Sequence, residues 1–188
     1  MTSEPTTPSR TTHSWTTPSQ TIGPFFHAAL PWADGSDVDP DGDVTLTVRV
    51  LDGAGELVTD ALVETWQADA GGRFDHPEGG GSSFRGFGRC PADATGTAVF
   101  RTVKPGPLPA EDGLVQSPHV DLSIFARGLL HRVVTRLYFP DEAAANATDP
   151  VLLSLGSDAG RLVATAVAGG YHLDVHLQGA AETPFFAV

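Results

Sequence analysis

Residues 44–50 carry a strict alternation of apolar and polar side chains. The order is Val44, Thr45, Leu46, Thr47, Val48, Arg49, Val50. Because side chains two positions apart on a strand point to the same face, this pattern predicts a β-strand with one buried face and one exposed face. The Asp-Gly-Ala-Gly sequence at 52–55 supplies a turn that ends the strand.

Further strand-length segments follow at regular intervals, separated by turn sequences rich in Gly, Asp and Pro. The predicted strands cover 62–68, 97–103, His119–Phe125, 131–139 and 171–177. Helical character is expected only at 141–148 and 158–165. Many short strands, 21 Gly, 15 Pro and few helices indicate an all-β protein, either an antiparallel sandwich or a barrel.

The 188 residues fit one ordinary domain preceded by a polar segment. Residues 1–18 are rich in Ser, Thr and Pro and bury too little apolar surface to order themselves, so we expect an N-terminal arm. Residues 19–188 then form a single domain. A sole cysteine, Cys90, excludes an intrachain disulfide and is typical of a buried thiol.

Charge and hydropathy narrow the classes of partner. A net charge of -12 disfavours nucleic acid and acidic membranes. No apolar run reaches about 18 residues, and the first residues lack the apolar segment of a secretion signal. We therefore expect a soluble, cytoplasmic protein.

Two groups of side chains have the composition of metal ligands. His172, Asp174 and His176 share one face of a predicted strand, and His119 and Asp121 share one face of another. Alternation also produces solvated polar faces of this kind, which is the more common outcome. A self-sufficient metalloenzyme using either group with a divalent ion stays open as an alternative, whereas no phosphate-binding loop or nucleophile motif is present.

Several segments together resemble the intradiol ring-cleavage dioxygenases. They are TPSQTIGPFFH at 17–27, VETWQADAGGRF at 63–74, FRTVKPGPLP at 100–109, SPHVDLSIFARG at 117–128, TRLYFPDEAAAN at 135–146 and the closing ETPFF. They run in order through nearly the whole chain. The resemblance implies an antiparallel β-sandwich and, in iron-bearing members, a ferric ion held by two tyrosines and two histidines.

The resemblance also implies which positions correspond to those ligands. They are Phe74, Leu108, His119 and Asp121. Phenolates are hard anionic donors that suit Fe(III), and neither Phe74 nor Leu108 can supply one. Tyr138 and Tyr171 are the only tyrosines, and neither stands at a ligand position. We therefore expect this chain to bind no metal.

Members of the family that cleave protocatechuate use two homologous subunits, a beta chain with the four ligands and an alpha chain with a degenerate cavity. The present pattern resembles the alpha type. The resemblance therefore implies a homologous beta partner that holds Fe(III), with protocatechuate and O2 as substrates. A non-catalytic β-sandwich interaction module derived from the same scaffold is the alternative.

In the two-subunit members the active site lies at the interface, and the alpha chain forms part of its wall. By resemblance the wall residues here are Thr21, Gly23, Pro24 and Phe25, joined by Arg127. Glycine lets the backbone approach a flat ring closely, and proline fixes the loop. The resemblance places a tyrosine where Phe25 stands, so a hydroxyl group is missing. Arg127 would favour a substrate carboxylate, with an ordinary surface ion pair as the alternative.

Overall fold

A computed structural model describes residues 21–23, 25–74 and 84–187. The predicted arm at 1–18 and Pro24 lie outside these described residues. Within the described residues there are ten strands: β1 Val44–Leu51, β2 Leu62–Trp66, β3 Phe87–Pro91, β4 Thr97–Thr102, β5 Leu108–Pro109, β6 Val115–Gln116, β7 His119–Phe125, β8 Val133–Tyr138, β9 Thr165–Val167 and β10 Gly170–His176. Short helices α1 Phe26–Ala29, α2 Ala143–Asn146 and α3 Pro150–Leu155 accompany them, with 3-10 helices at Glu111–Gly113, Pro140–Glu142 and Gly156–Leu162.

Two four-stranded sheets enclose one hydrophobic core. The first sheet has the order β4-β1-β10-β9 and the second β3-β2-β7-β8. Inward side chains such as Val48 and Phe100 of the first sheet pack in the same cluster as Leu122 and Leu137 of the second. Packing two alternating sheets through their apolar faces buries both. The predicted all-β sandwich with few short helices is confirmed.

One strand pair departs from the antiparallel pattern. β1 and β10 run parallel, with Thr45 opposite Gly170 and Leu51 opposite His176. The two strands approach each other so closely there that a Cβ atom at position 170 would lie 1.8 Å from the carbonyl oxygen of Thr45. Glycine at this position is therefore a steric requirement of the pairing.

Several predicted boundaries need correction. The strand predicted at 62–68 stops at Trp66, and the one predicted at 131–139 narrows to Val133–Tyr138. The helix predicted at 158–165 is wrong in extent, because a 3-10 helix covers Gly156–Leu162 and Thr165 already belongs to β9. Strand β3 and helix α3 were not predicted. Cys90 lies half-buried on β3 against the core.

Asp149 anchors the segment that leads into β7. This side chain is fully buried and caps α3, with Oδ1 accepting from the backbone N–H groups of Val151 and Leu152 at 2.9 Å. Oδ2 accepts from the backbone N–H of Ser117 at 2.8 Å. Helix α3 thereby fixes the backbone two residues before His119. Within the described ranges, no helix is long and apolar enough to cross a membrane.

Candidate functional site

The four positions that the resemblance relates to metal ligands lie around one cavity. Phe74, Leu108, His119 and Asp121 all line a cavity of about 340 Å³. Its remaining wall is formed by Gly72, Pro109, Gln116 and Arg136. Residues far apart in sequence are thus brought together at one end of strand β7.

Strand alternation explains how His119 and Asp121 reach this cavity. Val120, Leu122 and Ile124 of β7 point into the core, so the intervening residues point away from it. His119 is nonetheless only 4% exposed. Its Nδ1 lies 2.7 Å from the carbonyl oxygen of Ser117, and because a carbonyl only accepts, Nδ1 carries the proton. Burial, helped by the charge of Arg136, lowers the pKa of His119, so the imidazole is neutral near pH 7.

Asp121 is already engaged by a cation. It faces Arg136 across the β7–β8 pair, and Arg136 Nε donates to Asp121 Oδ1 at 2.8 Å. The carboxylate therefore forms a cross-strand ion pair inside the cavity wall. Sequence reasoning did not single out Arg136, because an arginine in an alternating strand gives no signal of its own.

The two remaining positions offer carbon atoms only. Phe74 stacks on Trp66 with ring centroids 5.7 Å apart and planes at 7°, while Leu108 lies on the short strand β5. Tyr138 is buried nearby and donates its hydroxyl to Asp149 at 3.2 Å. Burial raises the pKa of Tyr138, so it stays a phenol. Ferric iron with two phenolates and two imidazoles does not fit this donor set.

The polar face of β10 also carries an ion pair. Both oxygens of Asp174 accept from Arg49 at 2.7 Å, and His172 Nε2 lies 2.8 Å from Asp174 Oδ1. These contacts have the character of a solvated sheet face. Among the residues that the structure describes, no group of three or more His, Cys, Asp or Glu could hold a metal ion.

The predicted wall residues that the structure describes, Thr21, Gly23, Phe25 and Arg127, lie away from this cavity. The backbone N–H of Ile22 donates to Leu129 at 2.6 Å, and Gly128 donates back to Ile22 at 3.1 Å. The segment from Thr21 to Gly23 is therefore joined to the turn that follows Arg127. Phe25, which precedes α1, is 76% exposed. Position 24 lies outside the described residues.

Arg127 extends from this turn towards solvent. Its side chain is 69% exposed, and Nε lies 3.3 Å from Asp60 Oδ2. Because β7 runs from His119 to Phe125, this region is roughly 20 Å from the degenerate cavity at about 3.3 Å per residue. The structure thus separates the two predicted groups, with one at each end of β7.

Comparison with known proteins gives the family. A family model described as dioxygenase matches residues 23–170. The chain is 38% identical over 192 residues to the protocatechuate 3,4-dioxygenase alpha chain of Pseudomonas putida, covering 90% of this chain and 95% of that one. The alpha chain of Burkholderia cepacia is 40% identical over 195 residues, covering 92% and 97%. The beta chain from Burkholderia cepacia is 35% identical over 183 residues, covering 88% and 77%.

Solved structures share the fold. The intradiol ring-cleavage dioxygenase from Tetranychus urticae superposes with a TM-score of 0.54 at 16% identity, covering 88% of this chain and 98% of that one. The dioxygenase domain of a carbohydrate-binding fusion protein from Streptomyces sp. SirexAA-E gives 0.54 at 23% identity, covering 87% and 100%. The chain belongs to the dioxygenase family of intradiol ring-cleaving enzymes.

Proposed function

We propose that this chain is the non-ligating, alpha-type subunit of a protocatechuate 3,4-dioxygenase. The observation that carries the proposal is the cavity around His119, whose donor set lacks both phenolates and one imidazole. Similarity over nearly the full length of two alpha chains supports the same conclusion. The substrates are protocatechuate and O2, and the product is 3-carboxy-cis,cis-muconate, which contains both oxygen atoms.

The partner is a homologous beta-type chain. Relatives named alpha and beta chains imply an assembly of two chain types, and the family is generally iron-dependent. In this proposal the beta chain holds Fe(III), which supplies the activation of the catechol ring towards oxygen, and the present chain holds none. The single, half-buried Cys90 suits a reducing, cytoplasmic location.

The contribution of this chain is a wall for the active site of its partner. Thr21, Gly23, Pro24 and Phe25 form that wall together with Arg127. A Cβ atom built on Gly23 meets nothing within 4 Å, so there is open space beside the backbone for a flat ring. The distance of roughly 20 Å between Arg127 and the degenerate cavity, from about 3.3 Å per residue of strand, supports a role towards another chain.

Arg127 gives the wall its selectivity. Its exposed guanidinium retains donors beyond the 3.3 Å contact with Asp60, and these can bind the carboxylate of protocatechuate. A closed wall also excludes water and orients the ring, which lowers the entropic barrier of the reaction. These contributions require no metal on this chain.

Co-expression tests the proposal directly. The full chain is purified alone and with a homologous beta chain, and iron content and protocatechuate-dependent oxygen uptake are measured for both. We expect the chain alone to be free of iron and inactive, and the pair to contain iron and to consume oxygen. Iron and turnover in the chain alone would contradict the proposal. Failure of the two chains to pair would favour the interaction-module alternative.

A further inference from the structure

Arg136 is held at the wall of the degenerate cavity by partners on three elements. Besides its bond to Asp121, Nη1 donates to Gln116 Oε1 at 2.7 Å and to the hydroxyl of Tyr138 at 3.3 Å. The guanidinium carbon also lies 5.9 Å from the ring centroid of Phe186. Only 19% of the Arg136 side chain is exposed. The guanidinium is thus a fixed group rather than a mobile surface charge.

The charge of Arg136 is permanent in this setting. Burial alone lowers the pKa of Arg136, but the hydrogen bond to Tyr138 and the attraction of Asp121 outweigh burial and raise it above its ordinary value. A guanidinium does not lose its proton in proteins. Asp121 in turn needs a cation, because an unpaired carboxylate in a partly buried site is costly. The pair is therefore self-contained and neutral.

We infer that Arg136 is the resident cation of this cavity and that its charge excludes a metal ion even when the ligand side chains are restored. The inference rests on the proposed function in one respect, since it takes Phe74, Leu108, His119 and Asp121 as the counterpart of a metal site. It goes beyond the proposed function because it assigns the exclusion of a metal ion from the cavity to Arg136, which is not one of the four ligand positions. In this inference, restoring the ligand side chains alone would not create a metal site.

The geometry supplies the reason. Any ion bound by a side chain at position 121 would share its immediate surroundings with a guanidinium whose Nε is now 2.8 Å from Asp121. Like charges at such separations repel strongly in a partly desolvated site. Gln116 and Tyr138 tie the guanidinium in place, so it cannot turn away without losing both hydrogen bonds.

A set of variants of the full chain separates ligand loss from charge. The first carries Phe74→Tyr, Leu108→Tyr and Asp121→His, which restores two phenols and the second imidazole. The second adds Arg136→Gln, which removes the charge, and the third adds Arg136→Lys, which keeps it. Each is purified without a beta chain and exposed to ferric iron. Bound iron is measured by elemental analysis and by the visible absorption of tyrosinate bound to Fe(III).

We expect iron to bind stoichiometrically only in the variant with Arg136→Gln, and at least tenfold less in the other two. Equal iron binding by the variant that retains Arg136 would overturn the inference, and so would the absence of iron from the Arg136→Gln variant. Iron in the unmodified chain would instead overturn the proposed function. The two failures are therefore distinguishable.

Single substitutions keep the inference testable where the multiple variants do not fold. Arg136→Gln alone leaves His119, Asp121 and Gln116 around the cavity, and we expect it to bind Co²⁺ at least tenfold more tightly than the unmodified chain. Arg132→Gln, at an exposed arginine on the same part of the chain, removes the same charge and should leave Co²⁺ binding unchanged. Equal Co²⁺ affinity in all three proteins would refute the role of Arg136.

Discussion

Replacing Arg127 by alanine should impair catalysis of protocatechuate cleavage by the assembled enzyme without changing its iron content. The Arg127 side chain is 69% exposed, but Asp60, 3.3 Å away, is only 12% exposed, so loss of the guanidinium leaves a mostly buried carboxylate unpaired and costs the fold about 1–3 kcal/mol. A charge-assisted hydrogen bond to a substrate carboxylate is worth about 1.5–3 kcal/mol. That range corresponds to a fall in kcat/KM of about 10-fold to 150-fold with protocatechuate.

The assay compares two substrates that differ in one group. Catechol lacks the carboxylate of protocatechuate, so kcat/KM for catechol should be the same in Arg127→Ala as in the unmodified assembly. Arg101→Ala is the matched control, since the Arg101 side chain is also exposed, at 51%, and its ion pair with Asp37 has a similar length of 3.1 Å. A loss of equal size with both substrates, or no loss with protocatechuate, would refute carboxylate recognition by Arg127.

Three further predictions concern stability: the first tests the β1–β10 pairing, and the other two test residues beside the cavity. Gly170→Ala should lower the free energy of unfolding by about 1–3 kcal/mol through the clash with Thr45. Gly160→Ala, where a Cβ meets nothing within 4 Å, should change it by less than about 0.5 kcal/mol, and denaturant unfolding measures both. Asp149→Ala should cost about 2–5 kcal/mol by removing the α3 cap and stranding the N–H of Ser117, whereas the exposed Asp158→Ala should be nearly neutral in the same experiment. Burial lowers the pKa of His119 in the folded chain below the ordinary value of 6.5, so the folded state favours the neutral imidazole. The free energy of unfolding should therefore be unaffected by His119 above pH 6.5 and should decrease as the pH falls from there towards the folded pKa. Unfolding measured from pH 7.5 to pH 5 should show this decrease in the unmodified chain and not in His119→Gln.

Local patterns predicted the interior strands well. The alternation at 44–50 coincides with β1, and His119–Phe125 was predicted with the bounds that β7 has. Strand β3 escaped prediction because Phe87–Pro91 contains Gly88, where a Cβ would lie 2.6 Å from Val38, and lacks a clear alternation. The parallel pairing of β1 with β10 could not be read from either strand, since it depends on how the two sheets close around the core.

The residues of the candidate site could likewise be predicted only in part. The resemblance marked Phe74, Leu108, His119 and Asp121, which the structure brings to one cavity. It assigned no role to Arg136, although the segment at 135–146 contains it, because its importance arises from lying opposite Asp121 on β8 and within reach of Gln116. Likewise the pairing of Ile22 with the turn after Arg127 is a tertiary contact between distant segments, and no periodicity encodes it.

The adjacency of β1 and β10 sets an order of events during synthesis. Arg49 and Asp174, which bond across this pair, are 125 residues apart in sequence. The first sheet therefore lacks an interior strand until almost the entire domain has left the ribosome, and contacts between segments so distant form slowly. During that interval β1 is paired along one edge only, with β4, and its other edge is open. We expect this chain to depend on chaperones while nascent, and to present a finished surface to a second chain only after β10 has paired with β1.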